Sequence, residues 1–557
     1  MRLTAFLASK AGAWTLRVGG MLLVAAFAVA WAAFVLGPVP LDVHDTHWIW
    51  GDLAQVHIAW QQYLSDPDVQ WLSSTRLSYP QPLSISLFDP MPLLLLLARP
   101  FAALADPGTQ FFGYYFLSCL VLQGVFGYFA ALNALRLGGV SKGISSIVIA
   151  MLVGVLFASI PYTFYRFQGH TALSSHWILV LSIWVSLAGW DWRGARWYAA
   201  NGAVVFIATG LNPYLALLVC ASTSVLVVMS WRVLGLREVV QRVLVVAMIA
   251  ALGLALFGFM DGSNAYSGGY GVYSMNLLGP FDSNGVARLL PLDVPDATTG
   301  QTFEGYTYVG LGVLLLVLAA LLAYVNHRAG PNRFPFVPAL CVVVCCTLLA
   351  LSATVTLATH VLEIPIPKLA TYLLSRFRGS GRLFWMAGFW LILISVVACS
   401  MRFGARRAAL LLSVLVVVQL VDIRSIGSNV RTTIASANAL RIAGVPAGSY
   451  SALLVFPAWQ CDNQGTPGGG VRNYEAVGQL AATLGIPTNN FYAARTPADQ
   501  SAFHCDYAAR LKQPDPRAVY LVSTALLETY GDGLRAAHAC SPLEGDEGAW
   551  KCMPQQP

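Results

Sequence analysis

Charge is scarce in this chain of 557 residues: only 11% of them are Asp, Glu, Lys or Arg. Soluble globular proteins carry roughly 25% charged and 45–50% apolar residues. Here the apolar share is 57% and the mean hydropathy is +0.63, which excludes a soluble enzyme of this length. Disordered and collagen-like chains are excluded on the same grounds. No C-x-x-C pair occurs, which weighs against a zinc site. No internal repeat or extended low-complexity tract is present. The first apolar run is too long for a signal-peptide core, and no small-residue cleavage site follows it. What is left is a polytopic α-helical membrane protein.

The first run, 14–36, follows Arg2 and Lys10 and carries Arg17 near its start, which puts the N-terminus in the cytoplasm. Further runs of spanning length lie at 111–134, 144–161, 172–190, 198–209, 214–231, 239–260, 306–325, 336–358, 384–400 and 408–421, so the expectation is about eleven transmembrane helices. The run 90–105 is apolar but short, and it contains Arg99 and Pro100. If it does not cross, Arg136, Lys142, Arg193, Arg196, Arg232, Arg237, Arg242, Arg328, Arg333, Arg402, Arg406 and Arg407 all face the cytoplasm. If it crosses, all of them face outward. The positive-inside rule therefore favours a half-embedded juxtamembrane helix on the outer face. The net charge of +7 then reads as topology, and no nucleic-acid partner is expected.

Four outer regions result: 37–105, 261–305, 363–382 and everything after Asp422. The expected division is a transmembrane catalytic domain, 1–424, and a periplasmic α/β domain, 425–557. The tail is polar and rich in Gly and Pro. Strands are expected at 452–456 and 518–522, and helices at 473–484 and 502–511. Its four cysteines, Cys461, Cys505, Cys540 and Cys552, form an even set in an exported domain and read as two disulfides, with three pairings open. The other cysteines sit in spans, where cysteine acts as a small hydrophobe.

The most informative segment follows the first span. Asp42, Asp45 and Asp52 fall within eleven residues of a chain that has few carboxylates. Gly51-Asp52 reads as a turn and helix start, with Asp52 as N-cap and Gln55, His57 and Trp60 on the helix. Asp52 is then either a cap alone or a working carboxylate. Asp89, before Pro90-Met91-Pro92, is another carboxylate at the lipid boundary. Such groups are costly and point to function, although Asp89 too suits a cap.

An early span, a long outer loop whose acidic motif opens a helix, and an Asp-x-x-Pro-Leu-Leu element together resemble the GT-C superfamily. These are polytopic glycosyltransferases that use polyprenyl-phosphate-linked sugars, the aminoarabinose and protein-mannosyl transferases among them. Gly51-Asp52-Leu-Ala-Gln55 is similar to their acidic motif, and Asp89-Pro-Met-Pro92-Leu-Leu to their Pro-Pro-Leu-Leu helix start. The usual Asp-Glu pair is absent here, since Leu53 follows Asp52. The pattern also resembles a bacterial family of GT-C-like membrane proteins. That resemblance rests on Gly51-Asp52-x-Ala-Gln55, Gly169-His170…His176-Trp177, Asn212-x-Tyr214-Leu, Glu304-Gly305…Tyr308-x-Gly310, Phe377-Arg378-x-Ser380-Gly381-Arg382 and Thr488-Asn489-Asn490…Arg495. It implies a bacterial inner membrane location, a polyprenyl-phosphate-sugar donor, and a glycan or lipid acceptor of the cell envelope.

Arg376, Arg378 and Arg382 surround Gly379-Ser380-Gly381 on the expected outer face. Guanidinium groups on a Gly-rich turn suit bidentate phosphate binding, and the next helix adds N-terminal N–H groups. With Arg166 they form the expected donor-phosphate site; snorkelling toward lipid headgroups is the plainer alternative. His170 and His176 are six residues apart and share no helix face, so sugar or phosphate contact is preferred over metal ligation. Gln55, His57, His170, His176, Asn212 and Glu304 are expected to contact sugar or acceptor. The Thr488–Arg495 motif suits either sugar binding or a loop packed on a small core.

The chemistry expected is inverting glycosyl transfer, with Asp52 or Asp45 as base and Asp89 orienting the acceptor or sharing a divalent cation with Asp52. No cofactor beyond such a cation is expected. A flippase or transporter for a lipid-linked glycan is the alternative, as is a non-catalytic assembly protein whose tail binds glycan. The span interiors are nearly free of charge, which speaks against a transport path.

Overall fold

Apolar runs leave the backbone no partner in lipid but itself, and each of the eleven runs carries a helix. The computed structural model describes residues 10–104, 108–140, 143–260, 269–325, 333–461, 466–493 and 496–555. Arg2, Lys142, Arg328, Arg495 and part of the second outer region, 261–268, lie outside the described residues. Among those described, six helices are long and apolar enough to cross a membrane: Trp14–Leu36, Phe112–Leu137, Ile144–Gln168, Leu236–Leu256, Ser380–Phe403 and Ala405–Ser436. The run at 90–105 forms a short apolar helix, Pro92–Ala102.

Helix Phe384–Phe403 is the centre of the bundle, with Trp385 and Trp390 fully buried. Helices Phe112–Leu137 and Ile144–Ala158 lie close enough that a Cβ on Gly154 would sit 2.8 Å from the Gly124 carbonyl. Small residues at such a crossing let helices pack in lipid, where no hydrophobic force draws them together.

The structure corrects two helix ends. The run 336–358 is helical only to Leu351; Thr354–Leu357 and His360–Glu363 then form an antiparallel hairpin. The β-branched residues Thr354, Val355, Thr356 and Val361 favour that turn to strand. The last helix does not stop near Asp422 but runs on to Ser436. Asp422 is fully buried because it has partners: its Oδ1 accepts from the Leu289 and Leu290 N–H groups at 3.0 and 3.1 Å. Its Oδ2 accepts from Leu311 N at 3.0 Å and from the Tyr308 hydroxyl at 2.5 Å. A carboxylate with four donors is tolerated inside a helix and ties the segment 289–311 to it.

The tail is a four-stranded sheet with helices packed on it, in the order Leu453–Phe456, Val519–Ser523, Asp546–Pro554, His538–Leu543. The first pair is parallel and the others antiparallel. Helix Asn473–Leu484 forms where expected, but 502–511 divides into Ala498–His504 and Tyr507–Lys512. Asp506 breaks the run by capping the second piece, accepting from Ala509 N at 3.2 Å. Disulfides join Cys461 to Cys505 and Cys540 to Cys552.

The tail sits on the segment between the first two long helices. Gly478 lets helix Asn473–Leu484 close onto Ile58, where a Cβ would lie 2.6 Å from that side chain. Gln62 donates to the Ile486 carbonyl at 3.0 Å, and Ser78 bonds both Gln500 and His504 at 2.6 and 2.8 Å. Phe88 meets Phe491 edge-on at 5.9 Å.

Candidate active site

Gly51 takes φ +59°, where an L side chain would be strained, and turns the chain into helix Asp52–Ser65. Gly51 is therefore the N-cap, and Asp52 is the first helical residue. The capping role expected for Asp52 is not realised, since the end of this helix has no side-chain cap. The carboxylate reaches across to His170 instead, 3.3 Å from Nδ1, with 40% of its side chain exposed.

From there a polar network runs inward. His170 Nε2 lies 3.0 Å from Glu304 Oε1. Glu304 Oε2 is paired with the Arg382 guanidinium and lies 3.5 Å from Arg166 Nη1. Burial alone would raise the Glu304 carboxyl, but Arg382, His170 and Arg166 outweigh it and hold it well below the usual carboxylate range. Arg166 is almost completely buried and also donates to the Phe303 carbonyl at 2.5 Å. The structure thus commits Arg166 to the Phe303–Glu304 loop rather than leaving it facing an incoming phosphate.

Asp89 adopts φ +56° at the end of a short 3-10 turn and caps no helix; Met91 is the cap of helix Pro92–Ala98. Its Oδ1 accepts from Asn212 Nδ2 at 2.6 Å. Asn212 in turn caps helix Pro213–Met229, accepting from Tyr214 N at 2.8 Å. Burial pushes the Asp89 carboxyl up to about 6, against the pull of His170, Arg382 and Asn212. Asp52 adds to the rise, so the two carboxylates feel each other.

Around the Gly379–Gly381 turn the arginines separate. Arg382 goes to Glu304, with Tyr214 beneath it at 4.9 Å. Arg378 lies over Tyr273 at 5.6 Å and hydrogen-bonds Tyr492. Arg376 lies over the exposed Tyr372 at 6.0 Å. Gly379 N donates to the Tyr214 hydroxyl at 3.0 Å, which fixes the turn.

Several expected site residues lie elsewhere. Asp45 forms a local pair with His47 and is not brought to His170. His57 points into the tail contact, between the Thr109 carbonyl and Gln479 at 3.2 and 3.1 Å. Burial lowers its imidazole to about 4. His176 is buried against Trp385, with Thr163 Oγ1 at 2.7 Å from Nδ1. Gln55 is buried on the Asp52 helix, and its Nε2 lacks a partner. In the tail motif, Asn489 brackets Val455 N and O, and Asn490 accepts from Trp459 N at 2.6 Å, which makes these residues structural pins. Arg495 lies outside the described residues.

Trp459 and Tyr474, beyond the sequence expectation, and Tyr492 of the Thr488–Arg495 motif complete the site. Trp459, Tyr474 and Tyr492 form an aromatic cluster with centroids 4.9–5.8 Å apart. Burial raises both tyrosine hydroxyls, and Asp52 adds to each rise, which places the cluster beside that carboxylate. A cavity of about 560 Å³, mostly apolar, runs beside the same helix, lined by Trp60, Leu64, Leu94, Phe111, Tyr114 and Leu122. Among the described residues, no three His, Cys, Asp or Glu side chains gather as a metal-holding group.

Residues 25–424 match the family model described as "Domain of unknown function (DUF6311)". The chain belongs to the DUF6311 family. Residues 443–554 match the model described as the DUF6311 C-terminal domain. No curated protein matches the chain. Among solved structures, it is similar to the archaeal oligosaccharyltransferase AglB from Archaeoglobus fulgidus, in complex with an inhibitory peptide and a dolichol-phosphate. That likeness has 9% identity and a TM-score of 0.47, covering 96% of this chain and 74% of the other.

Proposed function

We propose that this protein is an inverting glycosyltransferase of the GT-C type. It moves a sugar from a polyprenyl-phosphate donor to a cell-envelope glycan or lipid on the periplasmic face of the bacterial inner membrane. The observation that carries this reading is Asp52: a solvent-reachable carboxylate at a helix start, backed by His170 and placed in one cluster with guanidinium groups.

In the proposed reaction the acceptor hydroxyl attacks the anomeric carbon and passes its proton to Asp52. The bond from that carbon to the phosphate oxygen breaks, and its electron pair leaves with the polyprenyl phosphate. Arg378 meets the charge building there, since Arg382 and Arg166 are already paired with Glu304. His170 and Glu304 orient Asp52. The Trp459–Tyr474–Tyr492 cluster offers an apolar face to an acceptor sugar, and the cavity beside Trp60 suits an isoprenoid chain. No step runs through a metal; a divalent cation shared by Asp52 and Asp89 would appear as activity lost in EDTA and restored by added metal.

The test is to incubate the purified protein with labelled polyprenyl-phosphate sugars and candidate acceptors. Label appearing on acceptor supports the reading. Donor that crosses vesicles unconsumed favours a transporter instead.

A further inference from the structure

A second cavity lies at the other end of the bundle. Helix Trp177–Ala188 leaves His176 and ends at Gly189; helix Ala195–Leu211 returns to Asn212 beside Asp89. At about 1.5 Å per residue, helix Ala195–Leu211 sets this cavity roughly 20 Å from Asn212 and Asp89. It has a volume of about 310 Å³, and its lining includes Arg193, Arg242, Arg333, Asp191, Trp197 and Asn201.

Arg242 is the central feature. Its side chain is 3% exposed, yet it lines the cavity. Nε is held by Glu238 at 2.8 Å, Nη2 donates to the Trp192 carbonyl at 3.1 Å, and the guanidinium stacks on Trp197 at 4.3 Å. Arg333 is paired with Asp191. Arg193 is exposed, donating to the Trp192 carbonyl at 3.1 Å. Arginines thus outnumber the carboxylates around the cavity, and a buried, pre-oriented guanidinium suits a phosphate oxygen.

The cavity reaches an exposed apolar surface through Val233, which lines it and is exposed. The helix that carries Arg242, Leu236–Leu256, also exposes Val240, Leu244, Met248 and Leu252 on its opposite face. Trp231 and Arg232 stand just before that helix, an aromatic–basic pairing typical of the membrane–water boundary.

We propose that this cavity binds a phosphate ester at the membrane surface, its anion held by Arg242, Arg193 and Arg333. The exposed Val233 and Trp231 beside the cavity favour a lipid headgroup as the source, with acyl chains along those side chains. The site is independent of the transfer chemistry proposed for Asp52.

The full-length protein is placed in nanodiscs of phosphatidylcholine with or without phosphatidylglycerol, and retained lipid is counted by native mass spectrometry. A parallel arm in detergent titrates inorganic phosphate and reads thermal unfolding. The expected result is retained phosphatidylglycerol that falls about tenfold in Arg242→Gln and in Arg193→Gln. Arg193 is exposed, so its variant decides the question if Arg242→Gln does not fold. Saturable protection by inorganic phosphate, lost in the same variants, would assign the site to a free phosphate group. If folded Arg193→Gln protein retains lipid and responds to phosphate as wild type does, the proposal is overturned.

Discussion

Arg382 and Glu304, 78 positions apart, form an ion pair with about a tenth of either side chain exposed. Glu304 also serves Arg166 and His170, so one carboxylate holds the inner end of the site together. Breaking a buried pair from one side leaves the other charge uncompensated. Glu304→Gln should therefore lower stability by about 3 kcal/mol and reduce activity. Thermal unfolding of the variant measures this; an unchanged midpoint would mean the network holds nothing in place.

Asp89 titrates higher in the fold than in an unfolded chain, about 6 against an ordinary value of 3.8. The folded state therefore binds the proton more tightly, and the stabilisation it gives is complete below pH 4 and is lost as pH rises through about 6. The amount is roughly 2–3 kcal/mol at about 1.4 kcal/mol per pH unit. Asp89→Asn should remove this component. Melting curves of both proteins between pH 4 and 7 should converge at the acid end and diverge toward neutrality.

His57 and His504 carry the opposite sign. Both lie where the tail meets the segment between the first two long helices, and burial lowers each imidazole to about 4. Their neutral forms are favoured in the fold, so their contribution is present above about pH 6.5 and lost as pH falls through 4. Acid should loosen the tail, read as faster proteolysis between Ala437 and Tyr450. A His57→Gln, His504→Gln double variant should show a flatter pH dependence of cleavage.

Peptide mapping without reductant should recover Cys461 linked to Cys505 and Cys540 linked to Cys552. The loops differ in length, with separations of 44 and 12 residues. Chain-entropy arguments then give about 4 kcal/mol for the longer and about 3 kcal/mol for the shorter. Replacing Cys461 and Cys505 together by Ser should lower the tail's unfolding midpoint more than replacing Cys540 and Cys552.

The apolar runs were legible because lipid permits few alternatives, and helix positions followed from hydropathy alone. Helix ends were less legible. Asp422 looks like a terminus in sequence, but its four donors come from residues 289–311, far along the chain. Asp52, His170, Glu304 and Arg382 stood out because charge is rare, and the fold brings those four together. Asp45, His57 and His176 shared the same signal but are held by local or core contacts that residue type does not reveal. Tyr474 was invisible for the converse reason: tyrosine is common here, and only tail docking sets it, with Tyr492 of the Thr488–Arg495 motif, beside Asp52.

The central claim is that Asp52 accepts the proton of the acceptor. Its most direct test is single-turnover transfer from a labelled polyprenyl-phosphate sugar, comparing wild-type protein with Asp52→Asn at matched thermal stability. The account predicts a loss of about a hundredfold or more, the range for a removed general base. A folded Asp52→Asn protein that transfers sugar at the wild-type rate would contradict it.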